Sequence, residues 1–213
     1  LRNAPTDSEL KQLRQEHARV VSERATIAGH SILKMFAQKV FGVPGTLIGE
    51  AQVPENRKMG ARLTDWHFWW QAHFLDCAVD ASLRAHYQLD SVTATEWFEV
   101  AEKILRGIHT RNFGFWTNSF YDDMAWLALA TGRLNALGET LNGKGVIQAQ
   151  DAGRDLFIAL AKGATNDWGG GMFWSTKKDF KNTPATAPAA LAFVRGSQVG
   201  RASALVNWLN AKL

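Results

Sequence analysis

The sequence has little cysteine, no block of like charge and no long apolar run. Cys77 is the only cysteine in 213 residues, so no internal disulfide can form, and a reducing compartment fits. The 24 basic and 20 acidic residues are mixed along the chain, without the basic stripe of a nucleic-acid-binding protein. No apolar run approaches the length of a membrane span, and no signal peptide is visible. We therefore expect no nucleic-acid partner and no membrane span, and slightly favour a cytoplasmic location, with the cell envelope or secretion left open because the chain begins with Leu1.

Motifs for metals and nucleotide cofactors are also missing. The sequence has no HExxH motif, Cys/His cluster, phosphate-binding loop, dinucleotide fingerprint or GxSxG motif. His67 and His73 are six residues apart, which does not stack them on one helical face. We expect neither a metal nor a cofactor. Residues 169–171, three consecutive glycines, predict room for a tight loop, and the nearby Lys177, Lys178 and Lys181 predict a solvated basic loop.

What the sequence does contain is tryptophan, with nine Trp against two Tyr. So much indole requires either a large core or an aromatic-lined cleft. Aromatic clefts often bind sugars, because the C–H faces of a pyranose pack on flat rings. Cys77 lies in an apolar helical pattern and is predicted to be a small buried side chain.

Apolar periodicity and end signals predict seven helices. Capping boxes mark the first and third, at Thr6-x-x-Glu9 and Thr93-x-x-Glu96. The fourth is headed by Asp122 and Asp123. The other six are expected at residues 7–41, 66–81, 93–111, 147–164, 183–194 and 198–213. An apolar stripe is expected along the first, through Leu10, Leu13, His17, Val20, Val21, Ile27, Leu33 and Phe36.

The helices alternate in character. The first, third, fifth and seventh are amphipathic, as outer helices are, whereas the second, fourth and sixth are small or apolar throughout. Antiparallel neighbours with short loops place the heads of alternate helices on one rim. We therefore predict a single all-α domain over residues 1–213, an α/α toroid. Three aromatic-polar clusters should meet at its rim: residues 66–71, 118–123 and 168–182.

The candidate chemistry lies in Asp122 and Asp123, two carboxylates at the mouth of a buried helix. Burying such groups is costly unless something satisfies or uses them. Ser119-x-x-Asp122 matches a capping box, so Asp122 could serve only the backbone, but this leaves Asp123 unexplained. Glycoside cleavage requires a pair of carboxyls, one to protonate the leaving oxygen and one to attack the anomeric carbon or activate water.

Three blocks resemble glycoside hydrolase family 76, the endo-α-1,6-mannanases, and within it the actinobacterial branch that acts on cell-envelope polysaccharide. Residues 121–126, YDDMAW, resemble the paired-aspartate signature of the family. Residues 66–76, WHFWWQAHFLD, resemble its first aromatic block. Residues 169–174, GGGMFW, followed by Lys181 and Asn182, resemble its glycine-aromatic loop.

The resemblance implies a retaining mechanism on an (α/α)6 toroid, with α-mannan-type polysaccharide or oligosaccharide as the partner. Asp122 would be the nucleophile and Asp123 the general acid/base. The resemblance also implies sugar contacts at Trp66, Gln71, Asn118, Tyr121, Trp174 and Asn182. Six helical hairpins need twelve helices, so seven predict an incomplete N-terminal portion of such a domain.

Other functions stay open at this stage. A transglycosidase would use the same covalent step, and water access to the intermediate decides between the two. A sugar isomerase or epimerase on the same toroid would rely on rim histidines instead of carboxylates. A non-catalytic glycan-binding domain is the third alternative. His67 fits a substrate contact and a packed ring equally well.

Overall fold

The computed structural model describes residues 6–50 and 66–212, and it confirms the prediction of an all-α domain. Within that part, a short antiparallel ladder joins β1 (Ala37–Gln38) to β2 (Ile48–Gly49), and single turns of 3₁₀-helix cover Val40–Gly42 and Asp167–Gly169. The α-helices of the described residues are α1 (Asp7–Phe36), α2 (Phe68–Tyr87), α3 (Ser91–Arg111), α4 (Tyr121–Asn142), α5 (Ile147–Gly163), α6 (Thr183–Arg195) and α7 (Val199–Lys212).

The first helix begins as predicted but ends earlier. Thr6 and Glu9 form the expected capping box. The helix ends at Phe36 instead of residue 41, because Ala37 takes an extended conformation and pairs with Gly49 in the ladder. The apolar residues beyond Phe36 therefore continue into a hairpin, which local sequence periodicity does not reveal.

The third helix begins earlier than its predicted cap. Asp90 is the N-cap, and its carboxylate accepts a hydrogen bond from the Thr93 N–H at 3.0 Å. Thr93 and Glu96 consequently lie inside the helix, and the predicted capping box at these residues is wrong. Asp90 lies three residues before Thr93, so the N-cap of α3 comes that much earlier than predicted.

The inner and outer arrangement follows the predicted alternation. Helices α2, α4 and α6 pack side by side, and each also packs against the helix that follows it, α3, α5 and α7 respectively. Helix α4 lies at the centre, and the first half of it is buried almost all round. The left-handed conformation of Gly143 then ends α4 at Asn142, well past the apolar run that predicted it.

The β1–β2 hairpin is pressed against α3 near the site described below. The Leu47 N–H donates to the Lys103 carbonyl at 2.8 Å. A Cβ on Gly107 would lie 1.9 Å from the Leu47 carbonyl oxygen, so this contact requires glycine. Gln71 on α2 holds the same hairpin through two hydrogen bonds with the Gly49 backbone, at 2.8 and 2.9 Å.

The apolar stripe predicted on α1 is mostly exposed. Only Ser22 is buried on this helix, whereas Leu13 is 62% exposed and Ile27 is 68% exposed. The periodicity identified the helix correctly, but among the described residues few side chains pack against it.

Cys77 is exposed, so the prediction of a small buried side chain is wrong. The buried face of α2 runs through Gln71, Leu75, Ala78 and Val79, and Cys77 lies on the opposite side of the helix. A helix with small residues on several faces gives little indication of which of them will be covered.

The position of α4 in the core predicts that a cavity made in this helix destabilises the protein. Leu134 is fully buried in the hydrophobic core. Leu134→Ala should lower the free energy of unfolding by about 2–5 kcal/mol, because the lost side chain leaves a cavity. Leu13→Ala, at an exposed position of α1, should change it by no more than about 0.5 kcal/mol. Urea denaturation followed by circular dichroism measures both, and equal effects would contradict the assignment of α4 to the core.

Candidate active site

The heads of the inner helices surround one cavity. It has a volume of about 460 Å³ and opens at the rim where α2 and α4 begin. All three aromatic-polar clusters of the sequence contribute side chains to it: residues 66–69 from the first, four residues of 118–123 from the second, and Trp174 from the third. The lining consists of Trp66, His67, Phe68, Trp69, Asn112, Asn118, Phe120, Asp122, Asp123 and Trp174.

The first turn of α4 is held by backbone pairing and not by a side-chain cap. Phe120 is the N-cap and makes no side-chain cap hydrogen bond. The Tyr121 N–H instead donates to the Trp174 carbonyl at 2.8 Å, and Phe120 forms an antiparallel bridge with Ser175. The capping box that Ser119-x-x-Asp122 left possible does not form. The Asp122 carboxylate is therefore not occupied by the helix backbone.

Asp122 has one side-chain hydrogen bond. The Trp174 indole N–H donates to its Oδ2 at 3.0 Å. Its Oδ1 is buried and accepts no hydrogen bond from the described residues. A buried carboxylate oxygen without a donor costs about 1–3 kcal/mol or more, so its presence at the cavity calls for a role.

Asp123 differs from its neighbour in its environment. It is 8% exposed, and the Asn118 amide donates to its Oδ2 at 2.6 Å. Burial raises the pKa of Asp123 to about 6, the Asn118 hydrogen bond opposes this shift, and the negative charge of Asp122 adds to it. A carboxyl with such a pKa can carry a proton near neutrality and give it up.

Aromatic rings form much of the wall. Trp69 is 44% exposed and Trp174 is 38% exposed, so each presents ring surface to solvent. The Phe120 and Trp174 rings pack at 5.0 Å between centroids. Trp97 and Trp116, by contrast, are buried in the core. Trp66, Trp69 and Trp174 thus line the cavity, whereas Trp97 and Trp116 belong to the core.

His67 both lines the cavity and packs on a ring. Its imidazole lies 4.4 Å from the Trp70 ring, measured between centroids. Its backbone has φ of 41° at the head of α2, a conformation that is uncommon for residues other than glycine. The structure thus shows the packed ring, and a substrate contact of His67 stays a prediction.

Three of the predicted sugar contacts lie elsewhere. Gln71 is 2% exposed, and its amide bonds the backbone of Gly49 and the Trp66 carbonyl. Tyr121 is 4% exposed and is not part of the lining. Asn182 is the N-cap of α6 and accepts from the Ala185 N–H at 3.0 Å. These side chains support the walls, whereas Trp66, Asn118 and Trp174 line the cavity.

Asn112 and Phe120 were missed by the sequence reasoning. Asn112 follows the end of α3, and its amide donates to the carbonyls of Phe115 and Thr117 at 2.7 and 3.0 Å. It thereby holds the loop that brings Asn118 to Asp123. Its position after a helix leading into the aspartate cluster was the available signal. Phe120 lies within the predicted cluster of residues 118–123 but was not among the predicted sugar contacts.

Lys181 is buried and not solvated, which corrects the prediction of an exposed basic loop at this residue. It is 9% exposed, whereas Lys177 and Lys178 are exposed as expected. Its antiparallel bridge with Phe173 turns the side chain inward, and neighbouring lysines in sequence give no sign of that.

The lining carries two carboxylates but no Lys or Arg among the described residues. In the same part of the chain, no group of three or more His, Cys, Asp or Glu side chains could hold a metal ion. None of the helices described is both long and apolar enough to cross a bilayer.

Similar folds occur among solved structures. The GH76A α-1,6-mannanase of Salegentibacter sp. HEL1_6 is 22% identical, with a TM-score of 0.70, over 90% of this chain and 52% of its own. An inactive variant of that enzyme, with two consecutive aspartates replaced by asparagine and α-1,6-mannotriose bound, is 20% identical with a TM-score of 0.69. The Lin0763 protein of Listeria innocua is 26% identical, with a TM-score of 0.72, over 90% of this chain and 53% of its own.

These likenesses establish the fold. The helices have the arrangement of an α/α toroid of the mannanase type, as predicted from their alternation. The chain spans about half the length of the structures it matches. No protein-family model and no curated protein matches the sequence.

The raised pKa of Asp123 predicts a pH-dependent stability. With a folded pKa of about 6 against the ordinary 3.8, the folded state binds the proton more tightly, so stability is lost as pH rises through that window. Asp123→Asn removes the buried charge. When the pH is raised from about 4 to about 7.5, the free energy of unfolding of the variant should increase by about 2 kcal/mol relative to that of the wild type.

Urea denaturation at both pH values measures the gain, and Asp179→Asn, at an exposed position, is the matched control. A difference that is the same at both pH values would contradict a buried, protonatable Asp123.

The two neighbours of Asp123, Asn118 and Asp122, should shift its pKa in opposite directions when they are replaced. The Asn118 hydrogen bond stabilises the ionised form of Asp123, so Asn118→Ala should raise the pKa of Asp123 above about 6. Asp122→Asn should lower it, because a neighbouring negative charge is removed. Carboxyl carbon chemical shifts followed by NMR titration report both. Shifts in the same direction would show that the two neighbours do not act on Asp123 as described.

Proposed function

We propose that the protein is a retaining glycoside hydrolase that cleaves α-1,6-mannosidic linkages in mannan or lipomannan-type polysaccharide. The observation that carries the proposal is the carboxyl pair at the cavity. Asp122 has a buried oxygen without a donor among the described residues, and Asp123 next to it has a pKa raised to about 6. Retaining glycosidases use such a pair as nucleophile and acid.

The lining supports a sugar as the ligand. Exposed indole rings of Trp69 and Trp174 offer flat apolar surfaces, and the amides of Asn112 and Asn118 supply polar groups beside them. The described part of the lining has no cation to bind a phosphate or a uronic acid. The bound α-1,6-mannotriose of the Salegentibacter variant, in which two consecutive aspartates are replaced, supports α-1,6-mannan as the class to test first.

In the first step, Asp122 attacks the anomeric carbon as the C–O bond to the leaving sugar breaks. A covalent glycosyl–Asp122 ester forms, and Asp123 donates its proton to the departing oxygen. The raised pKa of Asp123 suits this donation. The indole N–H of Trp174 donates to Oδ2 of Asp122 at 3.0 Å and so holds this carboxylate at the wall of the cavity.

In the second step, Asp123 takes a proton from water as that water attacks the anomeric carbon. The ester bond to Asp122 breaks, the sugar leaves with its original anomeric configuration, and both carboxyls return to their starting states. A sugar hydroxyl that attacks in place of water would complete a transglycosylation, so the same residues serve that alternative.

Linear α-1,6-mannan and α-1,6-mannotetraose test the proposal. The wild type should release shorter oligosaccharides whose first-formed anomer is α, as seen by NMR of the fresh reaction. Asp123→Asn should lower turnover by about 10²–10⁴-fold. Asp122→Asn should lower it at least as much, with oligosaccharide affinity by calorimetry within roughly threefold for both. Activity should fall as pH rises above about 6, because Asp123 loses its proton.

Asp179→Asn, at an exposed position, should retain full activity. Binding of the oligosaccharide without release of product would favour the non-catalytic glycan-binding domain. Longer products would favour the transglycosidase. Release of a β anomer at first would exclude the retaining mechanism, and neither binding nor product would overturn the proposal as a whole.

A further inference from the structure

The ammonium group of Lys181 lies in a cage of oxygens beneath the cavity wall. Its Nζ is 2.6 Å from the Asp167 carbonyl and 2.6 Å from the Gly170 carbonyl. The Thr165 hydroxyl and carbonyl oxygens lie at 3.1 and 3.2 Å, and the Gly171 carbonyl at 3.4 Å. The Phe173 ring covers another side, with its centroid 4.4 Å from Nζ.

The oxygens of the cage favour the charged form of the lysine, which opposes the burial that lowers the pKa of Lys181. An ammonium has three donors and no acceptor, and here it meets five oxygens. The Thr165 hydroxyl donates its own proton to the Asp167 carboxylate at 2.8 Å, so it can only accept from Nζ. Four of the five contacts are therefore carbonyl oxygens that converge on one positive charge, as they would on a bound metal cation.

The surrounding loop is shaped to converge on that charge. Gly169, Gly170 and Gly171 all have positive φ, at 83°, 114° and 79°, and the carbonyls of Gly170 and Gly171 face the ammonium. A Cβ on Gly171 would lie 2.5 Å from the Trp208 ring. Carbonyl dipoles aligned in this way repel one another unless a cation stands between them.

The caged loop is joined directly to the carboxylates. Phe173 forms an antiparallel bridge with Lys181, and the Trp174 N–H donates to the Phe180 carbonyl at 2.8 Å. The Trp174 carbonyl accepts from the Tyr121 N–H at the head of α4. The same Trp174 donates its indole N–H to Asp122. Three short extended segments thus connect the lysine to the first turn of α4.

We propose that Lys181 is a positioning residue: its buried ammonium takes the place of a structural cation, fixes the loop of residues 165–171, and thereby holds the Trp174 indole on Asp122. The link from this geometry to turnover rests on the proposed glycosidase function. The link from Lys181 to the Trp174–Asp122 hydrogen bond does not depend on it.

The hydrogen bond can be observed without any substrate. In a ¹⁵N-labelled protein, the indole N–H signal of Trp174 is identified by its loss in Trp174→Phe. Lys181→Met keeps the length of the side chain and removes the charge. It should move the Trp174 indole signal upfield, as expected for a weakened hydrogen bond, and should raise amide exchange rates within residues 165–174 at least about tenfold. Lys177→Met, at an exposed position of the same hairpin, should change neither.

Steady-state kinetics distinguish a positioning role of Lys181 from a general loss of structure. On α-1,6-mannotetraose, Lys181→Met should lower kcat roughly tenfold or more, because a hydrogen bond to a charged group is weakened. KM should change less than kcat, since Trp66 and Trp69 at the head of α2 stay in place and only the Trp174 wall is affected. If the wild type has no activity, the glycosidase proposal fails, but the indole and exchange results still decide the role of Lys181.

If Lys181→Met does not fold, Thr165→Val is the alternative variant for the same test. It removes one of the five oxygens and keeps the lysine, so it should move the same indole signal in the same direction by a smaller amount. A Trp174 signal and loop exchange that are unchanged in folded Lys181→Met, or unchanged in Thr165→Val where that variant alone folds, would overturn the proposal. An equal loss of kcat in Lys177→Met would also overturn it.

Discussion

The burial of α4 is the constraint on which the rest of the structure depends. Helices α2, α5 and α6 pack around it, and its first half is apolar on nearly every side. Asp122 and Asp123 occupy its first turn, where the core meets the cavity. The helix is thus both the centre of the fold and the support of the two carboxylates.

Burial also gives two chemically identical neighbours, Asp122 and Asp123, different environments. Asp123 is covered and has a pKa of about 6, whereas Asp122 stands at the cavity with an indole N–H on one oxygen. Adjacent residues on a helix diverge by about 100°, which is enough to give each its own environment. Two carboxyls whose surroundings differ in this way can take different parts in one reaction.

Much of the fold and part of the site could be predicted from residue patterns. The alternation of apolar and amphipathic segments indicated inner and outer helices, and the three aromatic-polar clusters indicated one rim. Residue patterns do not tell which way a side chain faces. Gln71 and Asn182 bond the backbone, and their sugar contacts stay predictions. The prediction for Lys181 was wrong, because this residue stands among solvated lysines and yet is buried.

By itself, the sequence determined the helical class, the order of inner and outer helices and the position of the carboxylates at a helix head, because these follow from spacing along the chain. Only the tertiary structure decided which oxygens keep a partner, which ring meets Asp122 and where the charge of Lys181 goes. Those outcomes depend on contacts between segments far apart in sequence, such as Trp174 with Asp122. Local periodicity does not predict such contacts.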